Sequence, residues 1–142
     1  MADLLGTHRY QLDPKGRMSL PKGFREPFAD GAYLTLGQDG CIFAFPSEEW
    51  ETESERVRSE PISAPESRAY ARIFFGSAEA VELDAQGRLL LPQKLRNLAG
   101  IGREAVVVGV MNRMDIWEGE TWERYFGVHG VAYQAGTLGE GK

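Results

Sequence analysis

Two short stretches, Asp13-Pro14-Lys15-Gly16-Arg17 and Asp84-Ala85-Gln86-Gly87-Arg88, carry an acid and an arginine at one spacing around a glycine. A carboxylate at the head of a tight turn can accept hydrogen bonds from the turn's backbone N–H groups, and an arginine can hold it across the hairpin. That chemistry is a structural lock, with Asp13, Gly16, Asp84 and Gly87 organising the turns. The same tips also suit a polyanion. Lys15 and Arg17 on a hairpin end, with Arg9 and His8 on the strand before it, have the types and spacing to meet phosphates or base edges in a groove. Arg88 is the corresponding candidate in the second stretch. The lock accounts for the acids and glycines; it accounts less well for the arginines, because an exposed ion pair contributes only about 0–1 kcal/mol. Both readings stay open at this level.

The two turns belong to a longer duplication. Leu12–Arg25 recurs as Leu83–Arg96, with Leu, Asp, Gly, Arg, Leu, Pro and Arg at identical offsets, and Phe45-x-x-Glu-x-Trp50 is answered by Trp117-x-x-Glu-x-Trp122. A repeat of this period is one supersecondary unit written twice. Each copy, roughly 45 residues, is too small to bury a comfortable core. The copies should therefore share one.

Around each turn the elements follow a common plan. Thr7 to Leu12 reads as a strand with Tyr10 and Leu12 on one face, and Arg17 to Leu20 as its returning partner. Pro21 opens a short helix that Pro27 ends. Ala32 to Leu36 and Cys41 to Phe45 form a hairpin around Gly37-Gln38-Asp39-Gly40. Ser47 is placed to cap an acidic helix through about Arg58. Ser63 with Glu66 reads as a capping box for a helix through Phe74 or Phe75. The second copy then gives a strand at 78–83, the turn, and a strand at 88–91. A helix from Pro92 to a cap at Gly100 follows, then a hairpin of 104–110 with 113–117 and a short helix at 120–125. The expected layout is a unit at 7–50, a helical connector at 51–76, a second unit at 77–122 and a frayed, Gly-rich tail at 127–142. Trp50, Trp117 and Trp122 are expected to pack.

Composition excludes several classes. The chain has 142 residues, 42% hydrophobic and 26% charged, an ordinary globular balance. One cysteine, Cys41, rules out an internal disulfide and fits a reducing cytoplasm. No apolar run approaches the ~20 residues of a membrane span, and the N-terminus lacks the pattern of a signal peptide. Two histidines and one cysteine cannot build a tetrahedral Cys/His zinc site. Gly100-Ile101-Gly102-Arg103-Glu104-Ala105 matches a dinucleotide fingerprint in letters, but it follows a helix and precedes a strand, the reverse of the order that fingerprint needs. The expectation is no enzyme, no cofactor, no metal and no small-molecule substrate. Net charge is −5, yet residues 1–28 hold five basic side chains against three acidic, while residues 29–64 hold eight acidic against two basic. A basic face is therefore allowed.

Gly6-Thr7-His8, Leu12-Asp-Pro-Lys-Gly-Arg-Met-Ser-Leu-Pro-Lys-Gly-Phe-Arg25, Leu83-Asp-Ala-Gln-Gly-Arg-Leu-Leu-Leu-Pro92, Val106-Val-Val-Gly-Val-Met-Asn-Arg113 and Ile116-Trp117 resemble the bacterial MraZ proteins. The likeness runs from about Leu5 to Tyr125. It implies a mainly β fold with short helices (α+β), built from two tandem swapped-hairpin, SpoVT-AbrB-type β-barrel units that form a pseudo-dimer. It also implies a ring-shaped homo-oligomer and a nucleoid-associated regulator that binds double-stranded DNA at repeated promoter elements of the division and cell-wall cluster, its own promoter included. The DNA-contacting turn then falls on Asp13, Lys15 and Arg17, with its second-copy equivalent on Asp84 and Arg88. Gln86 departs from the pattern, standing where Lys15 does in the first copy, and Leu5 stands where some members have an arginine. The alternative from another class is a protein-interaction and assembly module that does not read DNA.

Overall fold

In the computed structural model, which describes residues 3–137, the chain is a mixed α+β structure dominated by one antiparallel sheet. The elements are β1 (Thr7–Gln11), β2 (Arg17–Ser19), a 3-10 turn (Lys22–Phe24), β3 (Ala32–Leu36), β4 (Ile42–Pro46), α1 (Ser47–Arg58), α2 (Pro65–Gly76), β5 (Glu79–Val81), β6 (Arg88–Leu90), α3 (Gln93–Ala99), β7 (Glu104–Gly109), β8 (Met114–Glu118) and α4 (Gly119–Gln134). The sheet has the order β1-β7-β8-β4-β3-β5, and β2 and β6 form a separate two-stranded ribbon.

The pairing corrects the local hairpins expected from sequence. β1 does not pair with β2. It pairs with β7, Tyr10 opposite Ala105, and β5 pairs with β3, Val81 opposite Ala32. Each copy thus gives its first strand to the other copy's sheet. The exchange has a pseudo-twofold: in the ribbon Met18 faces its own repeat counterpart Leu89, and in the sheet Phe43 faces its counterpart Asp115. Two units too small to bury a core share one, and together they form the expected pseudo-dimer.

Period-2 alternation divides the sheet's two faces. Ile42, Ala44, Ala105, Val107, Met114 and Ile116 point to an inner core completed by Met18 and Leu89 of the ribbon and Leu95 of α3. Phe43, Phe45, Val106 and Trp117 point the other way, beneath the helices. Strand β4 is buried on both faces, which is why it reads as a continuous apolar run. The tryptophans pack as expected: Trp50 stacks on Tyr33 and on Phe74, and Trp117 meets Trp122 and Tyr125.

Helix ends differ from the sequence reading. Ser47 lies inside α1, whose cap is Pro46, and its hydroxyl donates to the Asp30 carbonyl instead. The Ser63–Glu66 capping box does not form, because Pro65 occupies the first turn of α2 after Ala64. Gly100 does close α3, with the Ile101 N–H returning to the Arg96 carbonyl. The last helix is not a short 120–125 segment. It runs on through Gln134 over residues expected to fray, and residues 138–142 of that tail lie outside the described ones. Glu118 caps it by accepting from the N–H groups of Glu120 and Thr121.

Candidate functional site

Both acid-to-arginine turns form, with nearly the same geometry. In the first, the Gly16 N–H donates to the Asp13 carbonyl and the Asp13 N–H to the Arg17 carbonyl, each at 2.9 Å. The Asp13 carboxylate accepts from the N–H groups of Lys15 and Arg17 at 2.9 Å and from Arg17 Nε at 2.6 Å. In the second, Asp84 accepts from the N–H groups of Gln86 and Arg88 at 2.9 Å and from Arg88 Nε at 2.8 Å. Such bonds favour the charged carboxylate. The Arg17 backbone N–H does most to hold the Asp13 carboxyl below its ordinary range, against some desolvation, with the Arg17 side chain and the Lys15 N–H adding to it. Arg88 and Gln86 do the same for Asp84. The lock read from the sequence is therefore real in both copies.

The two arginines are not equally committed. Arg17 spends Nε on Asp13, and among the described residues its terminal nitrogens make no hydrogen bond. Arg88 spends Nε on Asp84, a terminal nitrogen on Gln86 Oε1 at 2.7 Å, and the other lies 3.7 Å from Asp13 Oδ2. Gln86 is thus more than a missing lysine: its side chain occupies the arginine that Lys15 would have left free.

The ribbon brings the turns together. Arg17 pairs in register with Leu90 and Ser19 with Arg88, while the Leu91 N–H donates to the Gly16 carbonyl. Two further arginines, which the sequence reading passed over, lie across them. At Gly16, φ is +86°, and a Cβ there would sit 2.9 Å from the Arg96 guanidinium carbon. At Gly87, φ is +76°, and a Cβ would sit 3.0 Å from Arg25 Nε. Arg25 and Arg96 are repeat counterparts, and each covers the other copy's turn. The signal was present in the repeat, since both close its matched segment, but only the strand exchange shows where they go. Arg96 is held by Gln93 Oε1 at 2.5 Å, while its Nε is buried without a partner among the described residues.

The remaining candidates scatter. Lys15 is exposed at the tip. Arg9 faces outward from β1 but forms an ion pair with Glu123 of α4. His8 is half-buried on the inner side of β1, edge-on to Phe24 at 5.5 Å, with Nε2 3.3 Å from the Leu5 carbonyl. Elsewhere, Asp115 beside the pseudo-twofold is buried, and burial raises its pKa despite Arg113 Nε at 2.7 Å. Cys41 is buried and its thiol pushed far up, which makes it inert. Among the described residues no cluster of His, Cys, Asp or Glu is placed to hold a metal ion, and no helix is long and apolar enough to cross a membrane.

The family described as "MraZ protein, putative antitoxin-like" matches residues 4–73 and again 74–129, dividing the chain just before the second copy of the turn. A protein named transcriptional regulator MraZ from Pelotomaculum thermopropionicum is 42% identical over 130 residues, covering 92% of this chain and 90% of its own. Proteins of that name from Paenarthrobacter aurescens and Saccharopolyspora erythraea are 43% and 41% identical over 129 residues, each covering 91% of this chain and 90% of their own. With both repeats matched and nearly its whole length aligned, the chain belongs to the MraZ family.

Proposed function

We propose that this protein is a cytoplasmic, nucleoid-associated transcriptional regulator that binds double-stranded DNA without an enzymatic step. On this reading it acts as a ring of identical subunits at repeated promoter elements of the division and cell-wall cluster, its own promoter among them. The observation that carries the reading is the first turn. Asp13 holds Arg17 through Nε alone, which leaves its terminal nitrogens without a hydrogen bond among the described residues, in a turn that also carries the exposed Lys15. An arginine held in this way can donate two parallel bonds to phosphate or to a guanine edge at little entropic cost. The twofold organisation follows as a proposal: units at 7–50 and 77–122, each lending its first strand to the other, with 51–76 as the helical connector.

One subunit of net charge −5 with one open turn is a weak DNA ligand. Several tethered subunits on repeated elements gain by effective concentration. Affinity should therefore rise steeply with the number of promoter repeats in register, measured on duplexes carrying one to four repeats. A single-repeat duplex bound as tightly as a four-repeat one would contradict this. The competing reading, an assembly module that does not touch DNA, draws on the engaged state of Arg88 and Arg9. A salt titration separates the two, because phosphate contacts make log affinity fall linearly with log salt.

A further inference from the structure

The ribbon's outward face carries four side chains, and its two ends are not alike. Met18 and Leu89 point to the core and are fully buried, so Arg17, Ser19, Arg88 and Leu90 alternate onto the opposite face. Leu90 is 46% exposed there. Its repeat counterpart is Ser19, so one copy sets a hydroxyl where the other sets an isobutyl group. A single exposed leucine is ordinary on a protein surface. What distinguishes this one is its neighbour.

In register, Leu90 stands directly opposite Arg17, and Ser19 opposite Arg88. The Leu91 N–H donates to the Gly16 carbonyl at 3.0 Å, which makes the adjoining Arg17–Leu90 pair the non-hydrogen-bonded kind. Side chains in such a pair lie closest, with Cα atoms about 4.5 Å apart. The exposed leucine is therefore beside the arginine whose terminal nitrogens make no hydrogen bond among the described residues, and the serine beside the arginine that Gln86 engages. Resting on the DNA-binding reading above, we infer that Leu90 reads the C5-methyl group of a thymine in the major groove, next to the group that Arg17 meets. A two-stranded ribbon is one of the elements the major groove admits, and the thymine methyl is the apolar group displayed there. The first end of the ribbon thus offers a polar and an apolar contact side by side. The second end offers an engaged arginine and a hydroxyl.

The test uses the full chain and a synthetic multi-repeat promoter duplex, in which thymine is the only methylated base. Its affinity is compared with that of the same duplex carrying uracil for every thymine. That exchange removes the methyl groups and leaves every hydrogen-bonding group in place. Wild-type affinity should fall on the order of 4-fold per repeat, the effect of about one buried methyl group. Leu90→Ser, which copies the residue at the equivalent position, should bind the thymine duplex about as weakly as the wild type binds the uracil one. It should lose nothing further on uracil. Its salt slope should match the wild type, because no phosphate contact is removed. Leu90→Gln replaces it should the serine variant unfold. Two outcomes overturn the inference while sparing DNA binding: equal wild-type affinity for the two duplexes, or an undiminished uracil penalty in the variant. A wild type that binds neither duplex would remove the DNA-binding reading and this contact with it.

Discussion

The two turns share a backbone and differ in what their arginines have left to offer. Asp13 and Asp84 accept the same three donors, and both ribbon strands leave the turns in the same register. One side chain separates them. Lys15 projects into solvent and leaves Arg17 with open nitrogens, while Gln86 folds back onto Arg88. Arg88 also leans toward Asp13, so the second turn braces the first. The duplication has kept the geometry in both copies, and under the proposed function the first turn reads and the second supports it.

The largest expected effect breaks this comparison at the arginines. Arg17→Ala should weaken binding to a multi-repeat promoter duplex roughly 100-fold or more, because every subunit on the DNA loses its contact. Fold and oligomer mass should be unchanged. Arg88→Ala should weaken binding roughly 10-fold or less and lower the thermal midpoint, since it removes a brace between the turns. Affinity by fluorescence anisotropy, oligomer mass and thermal unfolding, read side by side, check both variants.

A smaller effect sharpens the comparison at the glycines. Gly16→Ala places a Cβ at positive φ and against Arg96, which is held in turn by Gln93. It should cost about 1–3 kcal/mol of stability in denaturant unfolding. Gly87→Ala incurs the backbone term, but exposed Arg25 can swing aside, so its cost should lie nearer the lower end of that range. Equal midpoints for the two variants would show that the covering arginines do not constrain the turns.

The smallest effect is on pH. Both carboxyls are held below the ordinary Asp value of about 3.9 by bonds that exist only in the folded turns. Their contribution to stability is therefore complete above that value and is lost as pH falls through the lowered folded one. The thermal midpoint should decline below about pH 4 more steeply in the wild type than in an Asp13→Asn, Asp84→Asn double variant. A wild-type profile parallel to that of the double variant would mean the carboxylates do not hold the turns.

Much of this was legible in the chain. The repeated Asp, Gly and Arg specify the turns through local chemistry, and Gly37–Gly40 and Gly100 mark a hairpin and a helix end for the same reason. What could not be read was partnership. Whether Thr7–Gln11 pairs with its neighbour or with β7 depends on which arrangement buries more surface, and the exchange wins because neither copy has a core of its own. Gly127 and Gly130 suggested a tail, but the α4 turns ahead of them are anchored by Trp122 and Tyr125 against Trp117. Arg9 and His8 looked free because the residues that engage them, Glu123 and Phe24, are brought near only by the fold. Gln86 read as a lost charge; its bond to Arg88 is visible only once the turn is built.

The central claim is that the side chain two residues after the aspartate decides which arginine is open to DNA. Exchanging those side chains in one chain, Lys15→Gln with Gln86→Lys, tests it most directly. Arg17→Ala and Arg88→Ala are then measured in that exchanged background on the same multi-repeat duplex at fixed salt. The account predicts that the order of sensitivity reverses, with Arg88→Ala now causing the greater loss of affinity. If Arg17→Ala remained the more damaging change, the difference between the turns would lie elsewhere than in Lys15 and Gln86, and the claim would be wrong.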